Sequence, residues 1–101
     1  MSVATDVDSI SVRLSGALCD YCGSPRALTI PASAATSVRA ALAHLEQSHG
    51  SLYRSVCDET GAVRQHIGVF VNDAHIRDRE GLDTPLRPGD TLTILPAVSG
   101  G

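Results

Sequence analysis

Hydrophobic and polar residues alternate along three stretches of the chain, which is the pattern of a strand that buries one face. Two shorter stretches, Ala27–Pro31 and 75–77, are predicted as one further strand and a short edge strand. The pattern therefore predicts four to five strands. The apolar positions of the three alternating stretches are Ile10, Val12 and Leu14, then Ile67, Val69 and Val71, and finally Leu92 and Ile94.

One stretch between the second and third strands has helical periodicity instead. Thr36 or Ser37 is suited to be its N-cap, and Gly50 stands where a C′ glycine would end the helix. Residues 51–57 are expected to add another helical turn. The apolar stripe of the main helix, with spacing i, i+3, i+4 and i+7, consists of Val38, Ala41, Leu42 and Leu45.

Turn residues separate these elements. Residues 58–61 and the Asn-Asp pair at 72–73 are predicted turns, and the Pro-Gly-Asp at 88–90 turns the chain into the last strand. Residues 79–86 have no regular pattern. Pro96 is expected to end the last strand because it has no N–H group to donate to a neighbouring strand.

The order strand, strand, helix, strand, short strand, strand predicts an α+β domain in which one main helix covers a mixed sheet. A chain of 101 residues has room for one such domain. We expect a flexible N-terminal extension at 1–8, the domain at 9–96 and a flexible C-terminal Gly-Gly tail at 97–101.

Composition narrows the class of protein. The chain is 43% hydrophobic and 19% charged, its formal net charge is -3, and it contains eight Arg and no Lys. An acidic domain of this kind is a poor binder of nucleic acid, because such binding depends on neutralising phosphates. No apolar run approaches the ~20 residues of a membrane span, and residues 1–9 lack the features of a secretory signal. We therefore expect a cytoplasmic protein with reduced cysteines.

Two segments, 69–73 (VFVND) and 86–101 (LRPGDTLTILPAVSGG), resemble the C-terminal half of the MoaD/ThiS family of ubiquitin-like sulfur carriers. Within that family the ending is most similar to the CysO-type carriers. A Gly-Gly ending that follows a Pro-Gly-Asp turn and an apolar strand is more specific than a terminal Gly-Gly alone. The resemblance implies the ubiquitin-like β-grasp fold.

The resemblance also implies a function for the C-terminal carboxylate of Gly101. A MoeB/ThiF-like adenylyltransferase would activate it with ATP, a rhodanese or another sulfur donor would supply sulfur, and the resulting thiocarboxylate would serve a sulfur-accepting synthase. The products served would be cysteine, a thio-containing metabolite or a cofactor. The chain would then be a protein cosubstrate rather than an enzyme, without a permanently bound cofactor, and its Gly-Gly ending would need no protease.

The residues around the tail have separate expected roles. Gly100 and Gly101 lack Cβ, so they would pass a narrow channel and leave the carbonyl open to attack. Pro96, Val98 and Ser99 are expected to contact the partner.

Phe70 alternates with the buried Val69 and Val71, so it points to the other face of its strand. It is either a partner anchor on an exposed sheet face or a core aromatic, and the sequence leaves both readings open.

Cys19 and Cys22 form a C-x-x-C motif that departs from the family pattern. A structural zinc site normally needs four ligands, which Cys57 with His49 or His66 would have to complete. Because the motif is followed by Gly-Ser-Pro, which favours a loop, we expect incidental thiols and no metal. Zinc binding and redox or persulfide handling remain alternatives.

Two other functions are compatible with the resemblance. The chain could be the small subunit of a molybdopterin synthase, which would co-purify as a stable complex. It could also be a ubiquitin-like protein modifier that is conjugated to lysines of other proteins.

Overall fold

The computed structural model describes residues 9–16 and 26–96. Within these ranges five strands form one mixed sheet in the order β2-β1-β5-β3-β4. Strand β5 lies at the centre, where it pairs in parallel with β1 and antiparallel with β3. The elements are β1 (Ser9–Leu14), β2 (Ala27–Pro31), α1 (Val38–Ser48), α2 (Gly50–Val56), β3 (Ile67–Val71), β4 (Ala74–His75) and β5 (Thr91–Pro96).

The core lies between the sheet and the two helices. The alternation predicted for β1, β3 and β5 is confirmed, because each strand turns its apolar positions to the same buried face. Ile10, Val12, Val69, Leu92 and Ile94 are completely buried. The core is therefore made of branched aliphatic side chains, which suit the flat surface of a sheet.

Helix α1 begins as predicted. The Ser37 side chain accepts a hydrogen bond from the backbone N–H of Ala40 at 3.1 Å, which makes Ser37 the N-cap and not Thr36. The predicted stripe of α1 is buried. Within the described ranges, no helix combines the length and the hydropathy needed to cross a membrane.

The end of α1 differs from the prediction at Gly50. Helix α1 ends at Ser48, with His49 as its C-cap, and Gly50 is the first residue of α2 instead of a left-handed C′ residue. The predicted extra helical turn is confirmed, since α2 buries Leu52 and Val56 against the core.

Two predictions between β3 and β5 need correction. The edge strand predicted at 75–77 is β4, two residues long, and it is followed by a 3-10 turn over Ile76–Asp78. The stretch 79–86, predicted as irregular, contains a second 3-10 turn over Gly81–Asp83. Each turn has only three residues, which is too short to produce a detectable helical repeat of apolar residues in the sequence.

Candidate functional site

Strand β5 leads directly to the C-terminal segment. Its pairing with β1 ends at Leu14 and Ile94, with one further hydrogen bond from the Ser15 N–H to the Ile94 carbonyl at 3.3 Å. Among the described strands, only β3 pairs with Leu95 and Pro96. Pro96 is opposite Ile67 in the register of β5 and β3. The strand thus ends at Pro96 as predicted, although Pro96 is itself its last paired residue.

The opposite end of β5 is fixed by side-chain hydrogen bonds from the β3–β4 turn. Asn72 has a φ of 55°, in the left-handed region that Asn tolerates better than most residues. Its side chain donates to Asp90 at 3.2 Å and accepts the backbone N–H of Thr91 at 3.1 Å. Asp90 in turn accepts the backbone N–H of Arg87 at 2.9 Å.

These contacts give a structural reason for the Asn-Asp and Pro-Gly-Asp segments. They join two turns that lie 18 positions apart at the point where β5 begins. Gly89 in the second turn has a φ of 93°, a conformation that an L residue rarely adopts. The two motifs therefore fix the register of the strand that ends at Pro96.

The face of the sheet that points away from the helices carries a small group of residues near the end of β5. We call this group the outer patch; it is formed by the half-exposed Phe70, His75, Thr93 and Leu95 and by the buried Gly68 beneath the Phe70 ring. Alternation places its members on one face, and the strand register pairs Phe70 with both Thr93 and His75. Gly68 pairs with Leu95, the residue before Pro96. The patch therefore lies beside the base of the C-terminal segment.

Phe70 lies outside the buried core cluster of the described residues. Its ring packs edge-on against the ring of His75, with the two centroids 4.9 Å apart and the planes at 68°. It also covers Gly68, because a Cβ added there would be 3.3 Å from Cε1 of Phe70. Of the two readings left open by the sequence, the structure agrees with the exposed face and not with a core aromatic.

His75 joins the patch to the 3-10 turn that follows it. Its Nδ1 accepts the backbone N–H of Arg77 at 2.9 Å, so its side chain is the N-cap of that turn. The ring is thus held on one side by this hydrogen bond and on the other by Phe70.

Several predicted site residues lie outside the described residues. These are Gly100 and Gly101, the partner contacts Val98 and Ser99, and the two cysteines Cys19 and Cys22. The predicted extension at 1–8, most of the loop before β2 and the tail at 97–101 also lie there, so their roles stay predictions. Pro96 is described, half-buried, at the end of β5.

Cys57 lies on the helix side of the sheet and is buried. Burial, together with the negative charge of Asp58, raises the pKa of its thiol to about 11, although a hydrogen bond with Tyr53 and the charge of Arg64 oppose the shift. At neutral pH Cys57 is therefore a protonated thiol.

The surface next to Cys57 has a cavity of about 260 Å³. Its walls carry both charge signs, including Arg54, Arg64 and Glu46. Within residues 9–16 and 26–96, no three His, Cys, Asp or Glu side chains are placed to hold a metal ion. The described residues thus do not bring Cys57 together with His49 or His66 in a ligand set.

Sequence reasoning missed three members of the outer patch: Gly68, His75 and Leu95. The alternation of β5 was a usable signal for Leu95, since it follows the buried Ile94. Nothing in the sequence predicted that His75 would pair with Phe70, because this depends on the short β3–β4 turn and its register. The role of Gly68 follows only from the ring that covers it.

Comparison with known proteins connects this geometry to a family. The sequence model of the ThiS family matches residues 12–101, which is most of the chain. The sulfur carrier protein CysO of Mycobacterium tuberculosis is 34% identical over 64 residues, covering 61% of this chain and 69% of the relative.

Solved structures agree with the fold. The crystal structure of SAMP1 from Haloferax volcanii superposes with a TM-score of 0.75 at 29% identity, covering 92% of this chain and 99% of that one. A chain from the crystal structure of the Amycolatopsis orientalis BexX/CysO complex gives a TM-score of 0.72 at 32% identity, covering 91% and 99%. The predicted ubiquitin-like β-grasp fold is therefore confirmed.

Proposed function

The chain belongs to the ThiS family, and we propose that it is a sulfur carrier whose C-terminal Gly101 holds sulfur as a thiocarboxylate. The observation that supports this most directly is the family match, which extends through Gly100 and Gly101. The position of Pro96 adds to it, because the central strand of the sheet leads into the last five residues. In this proposal the chain is a cosubstrate and its fold presents the reacting group.

The proposed reaction has two steps on an adenylyltransferase. A carboxylate oxygen of Gly101 attacks the α-phosphorus of ATP and releases pyrophosphate, which leaves an acyl-adenylate. Sulfide then attacks the carbonyl carbon and displaces AMP, so one carboxylate oxygen is replaced by sulfur. On a sulfur-accepting synthase the thiocarboxylate sulfur attacks the acceptor and displaces its leaving group, which gives an acyl thioester. Hydrolysis of the thioester leaves the sulfur on the product and restores the carboxylate. ATP is bound by the activating partner and not by this chain.

The length of the C-terminal segment suits this cycle. Five residues follow Pro96, and at ~3.3 Å per extended residue they reach roughly 16 Å from the end of β5. Two glycines at the end offer no Cβ to hinder attack on the carbonyl. Pro96, the last described residue, is paired in the sheet, so the distance that the carboxylate can reach is measured from Pro96.

Partner contacts are proposed on the residues nearest to that point. Phe70 and Pro96 lie at the base of the segment, and Val98 and Ser99 follow within it. A complex between a carrier and a second protein is known for the similar Amycolatopsis chain, whose structure is titled a BexX/CysO complex. For this chain we propose two partners, a MoeB/ThiF-like adenylyltransferase and a sulfur-accepting synthase.

The test is the intact mass of the protein after incubation with a MoeB/ThiF-like adenylyltransferase, ATP and sulfide. We expect a gain equal to the replacement of one oxygen by sulfur, which disappears when ATP is omitted or Gly101 is deleted. Arg39→Ala is a matched control. Arg39 lies on α1, and the substitution removes only its exposed ion pair with Asp83, so the mass gain should stay intact. A folded wild-type chain that gains no mass with several active adenylyltransferases would overturn the proposal.

A second candidate function has one observation in its favour. The similar structure from Haloferax volcanii is SAMP1, which a second structure of that organism names small archaeal modifier protein 1. The same activated carboxylate could be transferred to a lysine amine of another protein. This chain contains no Lys of its own, so it would offer no ε-amine as an acceptor to itself. Isopeptide-linked adducts in which lysines of other proteins carry the Gly-Gly end of this chain, and which disappear when Gly101 is deleted, would favour this function.

A further inference from the structure

The tautomer of the neutral His75 ring follows from its backbone contact. Nδ1 accepts the N–H of Arg77 at 2.9 Å, and a ring nitrogen that accepts a hydrogen bond cannot carry a proton. The neutral ring must then hold its proton on Nε2. His75 is therefore a hydrogen-bond donor at Nε2, in a fixed orientation.

That donor lies at the surface of the outer patch. Nε2 is 3.9 Å from the position that a Cβ on Gly68 would take, and the ring stands edge-on to Phe70. Nε2 makes no hydrogen bond to any described residue. In the same ranges no buried side-chain nitrogen or oxygen lacks a partner, so Nε2 is open to solvent.

The two strands nearest to this donor carry no charge. Strand β3 pairs with β4, and β5 pairs with β3, and neither contains an ionisable side chain. The next strand, β1, places the exposed Arg13 on the outer face, opposite Thr93. The charged residues near His75 are on its own connection and are exposed: Asp73, Arg77, Asp78 and Arg79. The 3-10 turn over Gly81–Asp83 adds the exposed Asp83. A partner on the patch would thus meet the Nε2–H beside Phe70 and Gly68, with Thr93 and then Arg13 farther across the same face.

The patch cannot be far from a protein that acts on Gly101. A reach of roughly 16 Å from Pro96 keeps the partner's active site close to the end of β5. Leu95 precedes Pro96, and Gly68 follows its paired residue Ile67. An enzyme that takes the carboxylate into its active site is therefore close to the end of β5, and the outer patch is the sheet face that is partly exposed there.

We propose that His75 is a specificity-determining residue of this chain, whose Nε2–H must be met by a hydrogen-bond acceptor on the adenylyltransferase. This rests on the proposed function, because it assumes that the carboxylate is adenylated. A partner that covers the patch without an acceptor leaves a buried donor unpaired, which costs more than the hydrogen bond itself contributes. The donor thus selects against apolar surfaces that fit the patch only in shape.

Two substitutions separate the functions of the two ring nitrogens. His75→Asn keeps an acceptor near the position of Nδ1, and Asn is a favoured N-cap, but it removes the distal donor. His75→Gln keeps an N–H near the position of Nε2 and weakens the cap. His44→Asn is the matched control, because His44 lies on α1 in the helical layer.

The measurements are the affinity of the MoeB/ThiF-like adenylyltransferase by titration calorimetry and its ATP-pyrophosphate exchange kinetics. For His75→Asn we expect unchanged thermal stability, a three- to tenfold loss of affinity, corresponding to about one hydrogen bond, and a raised KM with unchanged kcat. For His75→Gln we expect lower stability with affinity closer to that of wild type.

Binding and mass gain together separate the two proposals. Wild-type mass gain with His75→Asn binding as tightly as wild type overturns the role of His75 and leaves the carrier function intact. Binding without mass gain overturns the carrier function, and the two His75 variants still test the donor through affinity. A wild-type chain that neither binds nor gains mass overturns both proposals.

Discussion

The two faces of the sheet differ in burial and in composition although they are made from the same strands. On the inner face of β5, Leu92 and Ile94 are completely buried among aliphatic side chains. On the outer face of the same strand, Thr93 and Leu95 are only half-buried and adjoin an aromatic ring and an imidazole. The inner face is a continuous apolar layer, whereas the outer patch is small, mixed and beside the C-terminal segment.

The difference in burial separates residues that stabilise the fold from residues that are available to contact a partner. A buried aliphatic side chain contributes through the apolar area that it removes from water. A half-exposed side chain such as Phe70 has part of that contribution still to gain, which it realises only when a partner covers it. Stability and partner affinity should therefore depend on opposite faces, and substitutions can test this separation.

The largest effect is expected for a matched pair of leucines on β5. Leu92→Ala should lower the free energy of unfolding by about 2–5 kcal/mol, because it leaves a cavity in the core. Leu95→Ala should cost about 1 kcal/mol or less, as expected for a surface site. Urea denaturation of both variants measures the two values. Equal losses would show that the two faces are not energetically distinct.

An intermediate effect is expected for Phe70→Ala. The adenylyltransferase should bind the variant about tenfold more weakly or worse, since aromatic side chains at the centre of an interface dominate its energy. The free energy of unfolding should fall less than in Leu92→Ala. Thr29→Ala is the control, because Thr29 is on the outer face of the edge strand β2, away from Pro96. If both variants lost affinity equally, the contact would not be centred on the outer patch.

The smallest effect is expected for the pH dependence of stability, which comes from Cys57 on the helix side of the sheet. The pKa of Cys57 is raised by burial to about 11, from an ordinary value of 9.0. The unfolded chain loses this proton at lower pH than the folded chain, so the stabilisation is complete below about pH 9 and is lost as pH rises towards 11. The denaturation midpoint should therefore fall over this range, and less so in Cys57→Ala. The pKa of Tyr53, which burial also raises, contributes in the same direction.

Alkylation provides an independent check on Cys57. At neutral pH the folded chain should react with iodoacetamide at Cys57 far more slowly than the denatured chain, because the thiolate is the nucleophile. Equal rates in the two states would mean that the thiol is not buried.

Most of the inner face was predictable from sequence, and the reason is periodicity. A strand with one buried face has an apolar residue at every second position, as in Ile67, Val69 and Val71. The N-cap and the Asn72 turn were also predictable, because short polar side chains favour caps and turns, where they can hydrogen-bond to backbone groups. The β-grasp fold itself came from the resemblance, since the pattern alone gave only an α+β domain.

The outer patch was less predictable because it depends on the register between strands. Alternation gave the direction of Phe70 but not whether a second layer covers it. The edge strand predicted at 75–77 was too long because the His75 side chain caps the following turn. Gly50 was misread because a glycine after a helix can also begin the next one. The roles of Gly101, Val98 and Ser99 remain predictions of the family resemblance.

The central position of β5 has a consequence for the biosynthesis of the chain. Because the strand order is β2-β1-β5-β3-β4, removal of β5 would leave two separate hairpins with no strand pairing between them. The ribosome makes β5 last among the strands, so the sheet cannot close until the residues just before the Gly-Gly ending have emerged. A prematurely terminated chain would expose its inner face, which favours aggregation or degradation. Under the proposed function, a chain that presents Gly101 from a paired β5 has therefore already formed its sheet.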